Sequence, residues 1–288
     1  ARFAMNSELK IKYNTLLSLI LEYLQNGLCL ALSGGVDSGL LAGVTARLLQ
    51  NKTVYTKTFA LNFFKIKFYA VTFKTPLYSD EEIFAAKKLC KELKINHFVI
   101  PVDMEKMPKA LLKNPKDRCF ICKKAMFKNV IKFCKEKKLC TIIDGTNFDD
   151  LSVYRPGKKA LEELNIKSPL AECGFTKNEI RSLAEELELN SIAKKPSAPC
   201  FATRLPYGTF LDIPLLKKIE ESEKFLHKSG FAECRIRFHN PVVRIEIPEN
   251  LFTEFLEQKK KIISKIKSKG FKYITLDIEG LRSGSMDE

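Results

Sequence analysis

Leu28-Cys29-Leu30-Ala31-Leu32-Ser33-Gly34-Gly35-Val36-Asp37-Ser38-Gly39 is an apolar, strand-like run that breaks into two glycines and then into a helical pattern. Adjacent glycines let a backbone turn sharply and approach an anion without hindrance from a Cβ. The N–H groups that open the next helix lack intrahelical acceptors, and the helix dipole adds positive potential there, so the stretch predicts a phosphate cradle. Ser33 and Ser38 add hydroxyl donors, and Asp37 is a ligand for Mg2+ or for a water of its shell. Five fixed positions of this kind recur by chance at about one start site per million, which makes the signal specific. Walker A is excluded because no Gly-Lys-Ser/Thr follows, and the dinucleotide fingerprint because its third glycine falls on Ser38.

The chain around the cradle alternates strands and helices. A helix is predicted over 7–25 from leucines at helical spacing, closed by Gly27 in the left-handed conformation. Strands are predicted at 28–32, 67–73, 97–102 and 141–143, and helices at 37–50, from the capping box Ser79–Glu82 to Leu93, and over 119–137. That order predicts an α/β fold with a doubly wound parallel sheet. Ligands of such sheets lie beyond the carboxyl ends of the strands, so Asp144-Gly145-Thr146-Asn147 is expected to face the same crevice as Ser33–Ser38. Residues 51–66, aromatic and punctuated by lysine, interrupt the rhythm as a hairpin or an extended loop. Pro196–Pro206 is too rich in proline for a helix or a central strand. Beyond it, a helix at 214–228, strands at 233–238 and 242–247, a helix over 248–269 with Pro248 at its first position, and a strand at 271–278 predict a smaller α+β domain. The expected division is 5–206 and 207–288, and Ala1–Ala4, ahead of Met5, read as residual vector sequence.

A chain of 288 residues can bury a sizeable core, and with no long apolar run and no signal peptide it is expected in the cytoplasm, away from membranes. The 49 lysines and arginines against 34 acidic residues leave +15, which suits an anionic partner or a lysine-rich solubilising surface.

In a reducing compartment nine cysteines read as core residues, metal ligands or nucleophiles rather than a disulfide framework. Cys119 and Cys122 stand three apart, so both sulfurs fall on one side of a helical turn and can bind one metal centre, with Arg118, Lys123 and Lys124 favouring thiolate. Zinc would want four ligands, whereas an iron–sulfur cluster with an open iron would want three. Cys200, in a proline-braced loop near Lys195 and Arg204, is the third ligand or a nucleophile. The other six cysteines are expected to pack as small hydrophobes. In the smaller domain Arg235 and Arg237 alternate on one strand face and can fork a phosphate. Arg244, Arg282 and Glu246, the last as a base, are further candidates, and solvated strand-surface charge is the plain alternative.

At Ser33–Ser38 the chain resembles the ATP pyrophosphatase (PP-loop) superfamily, which implies an adenine nucleotide alpha hydrolase-like fold and cleavage of ATP between the α and β phosphates. With Arg118–Lys123, Asp144–Asn147, Asp149-Asp150, Tyr154–Gly157, Ser168–Glu172, Cys200–Gly208 and Leu276–Met286 added, it resembles the LarE family of sulfur transferases in nickel-pincer nucleotide synthesis. The resemblance runs over 7–286, with 51–66 a departure. It implies that carboxylates of pyridinium-3,5-biscarboxylic acid mononucleotide become thiocarboxylates at the expense of ATP and Mg2+. Ser33, Gly34, Gly35, Asp37, Ser38, Asp144 and Gly145 would bind the nucleotide, and Arg204, Arg235, Arg237 and Arg282 the substrate. Cys200, Asp37 and Glu246 would carry the chemistry. Two variants are implied: in one a cysteine at the position of Cys200 gives up its sulfur and ends as dehydroalanine, and in the other three cysteines hold a [4Fe-4S] cluster that takes up sulfide. This chain has all three, Cys119, Cys122 and Cys200, so inorganic sulfide or another sulfur donor is a partner, and a hexamer is the implied assembly. The alternatives are a tRNA thiolase of the same superfamily, against which no added RNA-binding module is found, an amidotransferase or NAD synthetase, and a non-catalytic RNA-binding protein that leaves the cradle unexplained.

Overall fold

A computed structural model describes residues 6–50, 66–152, 156–196, 198–282 and 285. Residues 51–65, Tyr154 with Arg155, and residues 283, 284 and 286 of the closing motif lie outside them. By internal contact the chain forms two compact units, one of residues 1–75, 80–107 and 117–197 and another of 76–79, 108–116 and 198–288.

The first unit is the expected α/β body. Its elements include α1 (Ser7–Leu24), β1 (Leu28–Ala31), α2 (Val36–Gln50), β2 (Phe68–Lys74), α3 (Asp80–Leu93), β3 (Asn96–Pro101), α4 (Arg118–Lys137), β4 (Thr141–Ile143), α5 (Pro156–Glu163) and α6 (Lys177–Glu186). The strands lie in the order β3-β2-β1-β4, all parallel, with Leu28 opposite both Phe68 and Thr141. Strand side chains alternate between faces, and β1 divides its own between two cores. Leu28 and Leu30 join Leu16 and Ile20 of α1, Leu40 and Val44 of α2 and Leu183 of α6, whereas Cys29 joins Phe127 and Val130 of α4 and Leu161 of α5. Helices therefore cover both faces, and the central strand is buried on each side. Gly27 closes α1 at φ +81°, as its position predicts.

The second unit contains α7 (Ile213–Lys228), β5 (Arg235–His239), β6 (Val242–Glu246), α8 (Phe252–Glu257), α9 (Lys259–Lys267) and β7 (Tyr273–Leu276). Its sheet runs β5-β6-β7, the first pair antiparallel and the second parallel. The continuous helix expected over 248–269 is instead a 3-10 turn at Glu249–Leu251 followed by α8 and α9. The break falls at Gln258, whose backbone leaves the helical region (φ −87°, ψ 3°) while its side-chain amide donates to the Ser229 carbonyl at 3.2 Å. Among the described residues no helix is long and apolar enough to cross a membrane.

Candidate functional site

The cradle forms where β1 ends. Leu32 donates its N–H to Val71 at 2.8 Å, and from Val36 the chain is helical. The first i→i−4 bond runs from the Gly39 N–H to the Gly35 carbonyl at 3.0 Å, so the N–H groups of Val36, Asp37 and Ser38 precede any intrahelical acceptor. The Ser33 N–H donates to Ser38 Oγ at 3.1 Å, and the two hydroxyl oxygens lie 3.0 Å apart. Of the two glycines, the steric demand falls on the first: Gly34 has φ +87°, and a Cβ there would sit 2.3 Å from the Glu82 carbonyl oxygen. A Cβ on Gly35 would meet only Ser33 Oγ, at 3.5 Å.

The loop after β4 packs against this turn, as the crevice rule predicts. A Cβ on Gly145 would lie 2.7 Å from the Ser38 nitrogen, so only glycine permits the approach. Asp144, 6% exposed, accepts from Thr146 Oγ1 at 2.7 Å and from Ser168 Oγ at 2.7 Å. Asn147 Nδ2 donates to Asp37 Oδ1 at 3.2 Å, and Lys177 forms an ion pair with Asp37 Oδ2. Lys177 is not among the site residues expected from the sequence. Its signal is the capping box Thr176–Glu179, which starts α6 and fixes Lys177 in the first turn. Lys195, expected beside Cys200, instead holds the cradle, with Nζ 2.9 Å from the Gly34 carbonyl and 2.7 Å from Glu82 Oε1.

Cys119 and Cys122 lie in the first two turns of α4, the former exposed and the latter buried. Cys200, in the second unit, precedes a 3-10 turn at Phe201–Arg204, and its sulfur accepts the Ala202 N–H at 3.4 Å. Among the described residues no three His, Cys, Asp or Glu side chains gather into a ready-made metal site. The donor chemistry of the first pair nonetheless fits an iron–sulfur cluster, because soft thiols one turn apart can share one centre. Of the other six, Cys29, Cys90, Cys134 and Cys234 are buried as expected, whereas Cys140 is exposed. Burial pushes the Cys90 thiol up to about 12 and, with help from Glu172, that of Cys173 to about 11.

The arginines of the second unit form neither a solvated face nor an open fork. Arg204 pairs with Glu223 through Nε–Oε1 at 2.8 Å and Nη2–Oε2 at 3.0 Å, with both side chains 5% exposed. Arg237 pairs in the same way with Glu246, both contacts at 3.1 Å, and donates to the Thr203 carbonyl at 2.6 Å. Glu246 is fully buried and also accepts from Ser285 Oγ at 2.7 Å and Arg244 Nη2 at 3.1 Å, so the oxygens a base would use are engaged. Arg235 donates to the Arg282 carbonyl at 3.1 Å, and both are only partly buried. Burial, reinforced by Arg204, lowers the Arg235 pKa despite the nearby carboxylates.

A family model described as asparagine synthase matches residues 25–122, the segment from β1 to the thiol turn. The chain is 32% identical over 259 residues to the pyridinium-3,5-bisthiocarboxylic acid mononucleotide synthase of Lactiplantibacillus plantarum, covering 90% of this chain and 88% of that protein. An uncharacterized protein of Methanocaldococcus jannaschii is 32% identical over 254 residues, 88% of this chain and 90% of its own. The tRNA-specific 2-thiouridylase MnmA of Rickettsia bellii is 28% identical over 241 residues, 72% of this chain and 62% of its own.

Proposed function

Because the chain belongs to the LarE family, that of the pyridinium-3,5-bisthiocarboxylic acid mononucleotide synthase, we propose that it converts the carboxylates of pyridinium-3,5-biscarboxylic acid mononucleotide into thiocarboxylates. It is an ATP-dependent sulfur transferase. A carboxylate is inert to sulfur nucleophiles, so it first attacks the α phosphate of ATP and becomes an acyl adenylate with AMP as leaving group. The observation that carries this reading is the cradle itself, in which Gly34 lets the turn pass against the Glu82 carbonyl of α3 and Gly145 brings the loop after β4 against the head of α2.

The N–H groups of Val36, Asp37 and Ser38 and the hydroxyls of Ser33 and Ser38 receive the departing pyrophosphate, and Asp37 binds Mg2+. Lys177, the ion-pair partner of Asp37, would share that carboxylate with Mg2+ and offer its ammonium to the phosphates. Arg235 and Arg282 meet the anionic substrate, while Arg204 and Arg237, held by Glu223 and Glu246, fix the surface they stand on. Nucleotide handling in 5–206 and substrate handling in 207–288 are part of this proposal, as are a hexameric assembly and a cytoplasmic setting. Cys119, Cys122 and Cys200 would hold a [4Fe-4S] cluster, a group that supplies an exchangeable iron site for sulfide.

The thiol proposal is tested by anaerobic purification of Cys119→Ala, Cys122→Ala and Cys200→Ala with iron and sulfide analysis. Each variant is expected to lose the broad visible absorbance and sulfur transfer together. Loss of H₂S from Cys200 with each product molecule, while Cys119→Ala and Cys122→Ala transfer sulfur normally, would show that Cys200 is consumed instead. The similarity to MnmA and the +15 charge favour tRNA thiolation as the second reading. Under it, binding to particular tRNAs would stay tight as salt rises, whereas a merely basic surface loses bulk tRNA steeply.

A further inference from the structure

Lys123 directly follows the Cys119–Cys122 turn, and its Nζ lies 3.5 Å from Asp144 Oδ2. That exceeds the length of about 2.7–2.9 Å usual for a charge-assisted hydrogen bond. The two partners are unequally held. The Asp144 side chain is 8% exposed and accepts from Thr146 Oγ1, the Thr146 N–H and Ser168 Oγ at 2.7, 3.2 and 2.7 Å, whereas the Lys123 side chain is 33% exposed. The carboxylate is therefore fixed and the ammonium is the group that can leave. Asp144 precedes Gly145, whose α-carbon backs onto the Ser38 N–H of the cradle. The stem of Lys123 crosses the first turn of α5, where a Cβ on Gly157 would lie 3.0 Å from Lys123 Cδ and 3.5 Å from Cys119 Cβ. One lysine thus joins the thiol turn to the loop that backs the phosphate cradle.

We infer that Lys123 is a positioning residue that couples nucleotide occupancy of the Ser33–Ser38 cradle to the exposure of the Cys119–Cys122 turn. The inference rests on the nucleotide reading above. A bound polyphosphate sets its negative charge against Asp144 and offers the Lys123 ammonium a second anionic partner, so the weakly held pair resets. Lys123 shares the first two turns of α4 with both thiols, and its movement changes how they are presented. Sulfur chemistry is thereby tied to the presence of the nucleotide that activates the acceptor.

The test uses the full chain, reduced and iron-free. The iodoacetamide rate at Cys119 is read by peptide fragmentation with and without Mg2+ and α,β-methylene-ATP, and equilibrium dialysis of that nucleotide runs in parallel. The wild type is expected to change its Cys119 rate by about fivefold or more on nucleotide binding, the lower range of measured site-to-site couplings. Lys123→Met should bind nucleotide and show no change, Lys123→Arg should restore it, and Gly157→Ala, which crowds the lysine stem, should diminish it. Comparing the ratio within each variant removes the direct effect of the lysine charge on thiol reactivity. Nucleotide binding without a rate change, or a change that survives in Lys123→Met, overturns the coupling and leaves the functional reading standing. Absence of nucleotide binding in the wild type overturns both.

Discussion

Asp37→Ala is expected to abolish AMP and pyrophosphate formation while leaving the α/β unit folded, and Gly34→Ala to do the same by a different route. Asp37 lies in the first turn of α2, with its carboxylate between Lys177 and Asn147 Nδ2. Alanine removes the metal ligand and frees Lys177, yet takes away no core packing. Loss of one preorganised electrostatic group of this kind costs about 10²–10³-fold in rate. Gly34→Ala acts on the backbone, because its Cβ would lie 2.3 Å from the Glu82 carbonyl oxygen at φ +87°. The loop must shift to accept it, and the N–H groups lose their convergence. Gly35→Ala is the control for folding, since its new Cβ would meet only Ser33 Oγ, at 3.5 Å. A pyrophosphate assay beside a thermal melt separates the cases. ADP in place of AMP from the wild type would contradict the family chemistry.

Glu246→Ala is expected to unfold the second unit under conditions where Glu246→Gln survives. Glu246 is fully buried and accepts from Arg237, Arg244 and Ser285. Alanine leaves Arg237, itself 2% exposed, without its carboxylate in a site closed to water. Removing one partner of a buried pair costs about 3–5 kcal/mol, mostly through the charge left behind. Glutamine keeps oxygen and shape and loses part of that. Chemical denaturation followed by a probe in β5 or β6 reads the difference. A change in Glu246→Ala within about 0.5 kcal/mol, the range of ordinary surface substitutions, would mean that the Arg237–Glu246 pair holds nothing together.

Local information was enough for the cradle. An apolar run, two glycines and a helical pattern fall within Leu28–Gly39, and the parallel order followed from strands and helices spaced along the chain. The Asp144–Asn147 loop was placed by the topology rule and is found against Ser38. Within 151–195 the sequence signals of short motifs do not mark Lys177, which is fixed in the first turn of α6 only by the capping box of Thr176 and Glu179. The buried ion pairs were hidden for a different reason. Glu223 lies in α7 among its apolar positions, and its partner Arg204 is nineteen residues away, so no periodicity connects them. Arg235 and Arg237, two apart on one strand, have the spacing of a phosphate fork, but the carboxylate that takes up Arg237 comes from the neighbouring strand. Likewise Lys195 is near Cys200 in sequence, but its ammonium goes to Glu82 and Gly34.

The most direct measurement incubates the protein anaerobically with ATP, Mg2+, sulfide and pyridinium-3,5-biscarboxylic acid mononucleotide, and follows the products by mass spectrometry. The account predicts that the mononucleotide exchanges carboxylate oxygen for sulfur, with one AMP and one pyrophosphate released for each exchange. Release of ADP, or consumption of ATP with no sulfur in the mononucleotide while tRNA added to the same mixture becomes thiolated, would contradict it.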